Sequence, residues 1–395
     1  MQGRVQRQRN PFRFGAIARD DDFADREREV RELSSDAING QDVVVFAARR
    51  VGKSSLVAAV MRELIDDGVL VADVDLWKIS TKEKLAEALA TAIYADIARF
   101  RDRAAEKAFA PFRGLRVLPT MTVDPDTGGL SFTFSAGSAP EDIDATLERL
   151  LELPAELGAD QGKQVALIFD EFQEIGTIGA DLTKLMRSVF QQQADVSHIY
   201  LGSKRHLMEE IFNDPNEPFW RSAKKMELGP IPSDQFAAFI RKRFADTGKS
   251  VDPDVVERVL EATQGHPYAT QRLCYQLWQE TEPGETADME AFEAAFAAVL
   301  VSEDAHFALI WEEASTVQRQ LLEALAADPG HPFRGEYQRK HRLPVSGTIQ
   351  RPLRTLTERE TVKSDDDKLY RISEPFLAEW IVAKVTPRPA GREPA

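Results

Sequence analysis

Apolar residues along this chain follow two periods in alternation. Four short runs rich in β-branched residues, at 43–47, 69–77, 165–172 and 198–203, have the continuity of strands buried on both faces. Between them the apolar residues recur at helical spacing, as in 53–67 and 82–100. Strands alternating with helices predict a mostly parallel sheet covered on both faces. A fifth run, 224–230, alternates with polar residues and predicts an edge strand or one near the site. At 115–135 two alternating runs flank "DPDTGG", the pattern of a surface hairpin.

Beyond residue 230 the pattern becomes helical, at 233–248, 252–265, 266–281 and 288–302. Ser233 and Asp252 stand where helix N-caps belong, and Gly248 and Gly265 where helices stop. From about residue 305 comes a third arrangement: helices at 316–327, 335–342 and 345–359, two short strand-like runs around "KSDDDK", and a closing helix at 375–385. That order is a winged helix-turn-helix. The expected organisation is a core at 1–230, a helical lid at 231–304, a winged helix-turn-helix at 305–385 and a disordered tail at 386–395.

The first strand runs into "FAARRVGKSS", which matches the phosphate-loop pattern GxxxxGK[ST] except that Ala47 stands at the first glycine. In such a loop, backbone N–H groups and a helix N-terminus surround phosphates. Residues Ala47, Ala48, Arg49, Arg50, Val51, Gly52, Lys53, Ser54 and Ser55 form the candidate cradle. Gly52 permits the tight backbone, Lys53 reaches the β- and γ-phosphates, and Ser54 ligates Mg2+. An alanine serves at position 47 if its φ is negative, so nucleotide binding is expected to survive. Hydrolysis is expected to be slow.

A second element supports the first. In "VALIFDE" a buried strand ends in Asp170, which holds the metal through water, and Glu171, which orients or deprotonates the attacking water. The strand at 69–77 lies in sequence between loop and acidic pair, an order that suits NTPases with a strand inserted between the loop strand and the acidic strand. Ser203, at the end of the next strand, falls where a polar residue approaches the γ-phosphate, or else simply ends a strand in a turn.

Taken together, "NPFRFG", "FADREREVREL", "FAARRVGKSSLV", "LIFDEFQEI", "YLGSKRHLMEEIF", "PFWRSAKKMELGPI" and "GHPYATQRLCYQLW" resemble, in order and spacing, the archaeal-type ATPase family. That family is related to the AAA+ signal-transduction ATPases and is similar to origin-recognition-type initiators. The resemblance spans Asn10 to about Lys384. It implies an α/β P-loop NTPase core with a parallel, AAA+-like sheet, a helical lid and a C-terminal winged helix. It also implies ATP with Mg2+, an adenine-side role for Phe23 and Arg26, packing of Pro267 on the base, and an arginine finger at Arg221 in its own or a neighbouring subunit. Two departures stand out: Ala47 replaces a glycine, and Tyr268 lies near the place where initiators often carry a second sensor arginine.

Composition narrows the partners. Lys+Arg 50 against Asp+Glu 65 gives a net charge of −15, so any nucleic-acid contact must be local. Residues 331–360 carry Arg334, Arg339, Lys340, Arg342, Arg351, Arg354 and Arg359 against Glu336, Glu358 and Glu360, seven minus three, or +4. The helix 345–359 offers Ser346, Thr348, Gln350, Arg351 and Arg354 to a groove. Double-stranded DNA and a protein both remain open as partners of the winged helix, as does a homo-oligomer. The single cysteine, Cys274, excludes an internal disulfide or cysteine-based zinc site and suits a reducing cytosol. The N-terminal segment lacks the apolar run of a secretory signal, and no apolar stretch approaches the roughly 20 residues that span a bilayer. The expectation is a cytoplasmic, nucleotide-driven molecular switch with ATPase activity. Alternatives are an ATP-regulated DNA-binding protein and a nucleotide-binding scaffold without hydrolysis.

Overall fold

A computed structural model describes residues 9–18, 23–48, 50–98, 112, 115–117, 119–123, 130–134, 139–365 and 367–385. The chain divides into two compact units, one of residues 26–48 and 53–229, the other of 1–25, 49–52 and 230–395.

The first unit is built on a five-stranded sheet. Its strands are β1 (Val43–Ala47), β2 (Leu70–Asp75), β5 (Val165–Asp170), β6 (Val196–Gly202) and β7 (Lys224–Leu228), while β3 (Thr120–Val123) and β4 (Leu130–Thr133) pair antiparallel apart from it. The hairpin expected at 115–135 is therefore present as two paired strands, with its turn outside the described residues. The sheet is parallel throughout, in the order β2-β5-β6-β1-β7. Strands β1 and β6 are buried along their whole length, as their unbroken apolar runs require. The two edges read differently, because β2 exposes Asp73 and Asp75 and β7 exposes Lys224, Lys225 and Glu227.

This order corrects one expectation. The strand inserted between the loop strand and the acidic strand is β6, not β2, which lies at the outer edge. A strand's sequence position does not fix its place in a parallel sheet, since each crossover can return on either side of the strands already laid down.

Helices α1 (Glu27–Ile38), α2 (Lys53–Asp66), α3 (Lys82–Ala92), α4 (Pro140–Gln161), α5 (Leu182–Phe190) and α6 (Arg205–Asn213) belong to this unit. Helix α2 buries Leu56, Val60 and Leu64, one face at four-residue spacing. Helix α4 starts on Pro140, whose missing N–H costs nothing there, and stops on left-handed Gly162. The core is aromatic beneath the acidic strand: Phe172, Tyr200, Phe212 and Phe219 are fully buried and in mutual ring contact.

The second unit has its own core. Its helices are α7 (Ser233–Ala245), α8 (Pro253–Thr263), α9 (Pro267–Glu280), α10 (Met289–Glu313), α11 (Thr316–Ala327), α12 (Gly335–His341), α13 (Ser346–Glu358) and α14 (Pro375–Lys384). Strands β8 (Val362–Ser364) and β9 (Tyr370–Ile372) pair antiparallel between α13 and α14. Three helices, a hairpin and a closing helix give the winged helix its expected order. A full capping box at Ser315 and Gln318 opens it. Asp252 holds its N-cap place, while Ser233 falls one residue inside its helix. The tail expected at 386–395 lies outside the described residues.

Pro352 sits in the interior of α13 rather than in its first turn, so the Thr348 carbonyl, four residues back, loses its usual donor. Helix α10 is 25 residues long and apolar enough, by length and composition, to cross a membrane. That departs from the reading of the sequence, because alanines raise its hydropathy although Glu293, Glu303 and Asp304 interrupt any apolar run. Within the unit it buries Phe292, Ala295, Val299 and Phe307.

The turn before α9 depends on a glycine. Gln264 and Gly265 are both left-handed, at φ 51° and 66°, and a Cβ on Gly265 would lie 2.5 Å from the Ile231 carbonyl oxygen. Gly265→Ala is expected to lower the unfolding free energy by about 2 kcal/mol or more, through left-handed strain and that clash. Urea titration of both proteins measures it, and equal midpoints would remove this account of the turn.

Candidate functional site

The phosphate loop leaves β1 at Ala47, which is the last, extended residue of the strand and paired with Leu228. The left-handed residues of the loop are Arg50 at φ 63° and Gly52 at φ 94°. Position 47 therefore carries no left-handed strain, and an alanine fits it without the cost that a glycine's role would imply. Gly52 does need its conformation, and nothing stands within 4 Å of where its Cβ would be. Arg49 lies outside the described residues. Val51 is buried, Ala48 and Ser54 are exposed, and Ser55 is buried.

Lys53 opens α2, so the helix N-terminus and the lysine share one end of the sheet with the C-terminal tip of β5. The lysine Nζ lies 2.6 Å from Asp170 Oδ1 and also pairs with Glu171 Oε1. Glu171 Oε2 accepts from Ser203 Oγ at 2.8 Å and from Gln173 Nε2 at 2.5 Å. Asp170 Oδ1 accepts the Glu171 backbone N–H at 2.8 Å. Five residues from α2, β5, the turn after it and the end of β6 thus converge, as the insertion of β6 beside β5 requires.

Glu171 itself is left-handed, at φ 53°, an uncommon conformation for a residue with a long side chain. Partial burial raises its carboxyl, but the hydrogen bond and charge of Lys53, with the bonds from Gln173 and Ser203, outweigh this and hold it below the usual carboxylate range. It is an anion at neutral pH, which a proton acceptor has to be.

The set of donors fits a nucleotide with Mg2+. Among the described residues no group of three or more His, Cys, Asp or Glu could hold a metal alone. A magnesium ion does not need one, since it is commonly held by one or two protein oxygens with phosphates and waters completing the octahedron. Ser54 and Asp170 supply such oxygens.

The remaining residues expected at the site have contacts of their own. Arg26, at φ 80°, is 3% exposed, pairs with Glu29 at 2.8 Å and donates to the Gly229 carbonyl at 2.5 Å. Arg221 is exposed and stands 5.2 Å from the centre of the Trp220 ring. In the second unit Pro267 is the first residue of α9, after His266 as N-cap. There Tyr268 accepts from Arg272 at 3.1 Å and lies 4.5 Å beneath the Arg50 guanidinium, which pairs with Glu374 at 3.5 Å. The segment at 10–15 packs in the same unit: Asn10 donates to the Tyr275 carbonyl at 2.9 Å, and Phe14 meets Tyr268 and Tyr275 edge-on.

Gln173 also joins the cluster. Its position two residues beyond Glu171 is the only signal, and a polar residue starting a loop gives no cause to select it.

A family model described as "ATPase domain predominantly from Archaea" matches residues 23–273, and one described as "Probable winged helix domain" matches 305–383. Among solved structures, a Walker-type ATPase of Pyrococcus abyssi is similar at 17% identity and TM-score 0.67, over 94% of this chain and 99% of that one. The ORC2 protein of Aeropyrum pernix, solved in ADPNP–ADP complexes, is similar at 14% identity and TM-score 0.53, over 96% and 98%. At these identities the likeness is one of fold. No curated protein matches the sequence.

Proposed function

The chain belongs to the family of ATPase domains found predominantly in Archaea, and from that premise we propose that it is an Mg2+-dependent ATPase working as a nucleotide-driven molecular switch. The observation that carries the reading is the convergence of Lys53, Asp170, Glu171 and Ser203 at the N-terminus of α2.

Lys53 exchanges its two carboxylates for the β- and γ-phosphates, while the N–H groups at the start of α2 face the same anion. Ser54 and Asp170 would hold Mg2+, which would supply positive charge to offset the charge that develops in transfer. Released from Lys53, Glu171 accepts a proton from the attacking water, and Ser203 keeps its carboxylate in place. Arg26 takes the adenine side, and Arg221 approaches the γ-phosphate from its own or a neighbouring subunit. Turnover is slow, as in switches whose output is a state rather than a flux of product.

The test is phosphate release from ATP by the purified chain with Mg2+ and with EDTA. Metal-dependent release supports the reading; ATP bound without release in either condition would leave a nucleotide-binding scaffold instead.

A second reading adds DNA to the switch. Ser346, Thr348, Gln350, Arg351 and Arg354 are all exposed on α13, whose Ile349, Leu353 and Leu356 are buried. A helix so divided presents its basic face outward, as groove recognition needs. Arg351→Ala and Arg354→Ala are each expected to flatten the dependence of log affinity on log salt by about 1 for duplex DNA. Fluorescence anisotropy across a salt series measures the slope, and slopes equal to that of the wild type would leave the helix to a protein partner.

A further inference from the structure

Gln173 lies on the short turn Phe172–Glu174 and is 4% exposed. Its amide has two unlike ends. Nε2 donates to Glu171 Oε2 at 2.5 Å, whereas Oε1 is buried and accepts no hydrogen bond from any described residue. Turning the amide over would set its oxygen against the Glu171 carboxylate, so the carboxylate alone fixes which end faces it.

A buried carbonyl without a partner costs free energy, and an apolar side chain of the same size would not carry that cost. The surroundings are closely fitted to the glutamine nonetheless. A Cβ on Gly202, the last residue of β6, would lie 2.7 Å from Gln173 Oε1 and would also collide with Met208. The neighbouring strand thus ends in the one residue that leaves the amide room.

The two oxygens of Glu171 are divided between partners. Lys53 holds Oε1, while Gln173 and Ser203 hold Oε2. We propose that Gln173 is a positioning residue for hydrolysis: with Ser203 it clamps Oε2, so that Oε1 is the oxygen presented to the attacking water once Lys53 turns to the phosphates. This rests on the reading of Glu171 as proton acceptor. In the step, the water oxygen bonds the γ-phosphorus, the bond to the diphosphate oxygen breaks, and the water proton passes to Glu171 Oε1.

Gln173→Met keeps the volume and removes the donor. The expected result is a kcat lower by about tenfold or more, with KM within about twofold. The split between kcat and KM is the readout that a merely structural role would not move, and the thermal midpoint should hold or rise. A wild-type kcat in Gln173→Met would overturn the inference. If that variant does not fold, isosteric Gln173→Glu decides: it has no amide donor for Glu171 Oε2, so kcat should again fall by about tenfold or more with KM within about twofold, and a wild-type kcat overturns the inference. The controls separate the two levels. An inactive wild type, or Glu171→Gln at the wild-type rate, removes the ATPase reading and the inference with it. An active wild type, an inactive Glu171→Gln and an unchanged Gln173→Met remove the inference alone.

Discussion

Glu171→Gln is expected to lower ATP turnover by about 10²–10⁴-fold, the range for loss of a general base, while ATP stays bound. The substitution keeps the shape of the side chain and takes away its ability to accept a proton. Ser203 still has an oxygen to donate to, and Lys53 keeps Asp170 at 2.6 Å, so the loop and α2 retain their place. Single-turnover phosphate release against equilibrium ATP binding separates the two effects. Equal rates in the variant and the wild type would remove Glu171 from the proton-accepting role, and a parallel loss of binding would make it a structural residue.

Lys53→Met should show the opposite division, with affinity lost first. A charged hydrogen bond contributes about 1.5–3 kcal/mol, and a lysine reaching two phosphates makes two of them. ATP affinity should then fall by about 10²–10⁴-fold, at 1.4 kcal/mol for each factor of ten. The variant also leaves Asp170 and Glu171 side by side without their cation. Both carboxylates keep some solvent access, with side chains 28% and 19% exposed, so the unfolding free energy should drop by only about 1–2 kcal/mol at pH 7. The sign with pH follows from Glu171. Its carboxyl is held below the usual range in the folded wild type, so the stability it contributes is present above the unfolded value and lost as pH falls through the folded one. The deficit of Lys53→Met should therefore be largest at neutral pH and shrink toward acid. Urea unfolding at pH 7 and pH 4 measures it; a deficit that grew toward acid would reverse this account of the pair.

Most of the architecture could be read from local pattern. Buried β-branched runs marked β1, β5, β6 and the outer strand β2, alternation at β7 pointed to an edge strand or one near the site, and helical spacing with a hairpin marked the winged helix. Each of these signals is a periodicity that a segment carries whatever its neighbours. The phosphate loop and the acidic pair were equally legible, because Gly52, Lys53 and Asp170 stand at positions that a short local pattern marks. What the sequence left open at Ala47 the structure resolves, since that residue ends a strand and has no left-handed angle to sustain.

By itself, then, the sequence determined the elements, their types, the loop and its acidic counterpart. Only the tertiary structure decided which strand stands between β1 and β5, and hence that Ser203 and Gln173 share one oxygen of Glu171 while Lys53 holds the other. The physical reason is that strand order in a parallel sheet is settled by how crossovers return and which faces they bury, contacts between residues far apart in the chain. A glutamine two residues beyond a glutamate has no local property that announces its role. It acquires one when β6 brings Gly202 beside its amide and the fold closes that amide off from water.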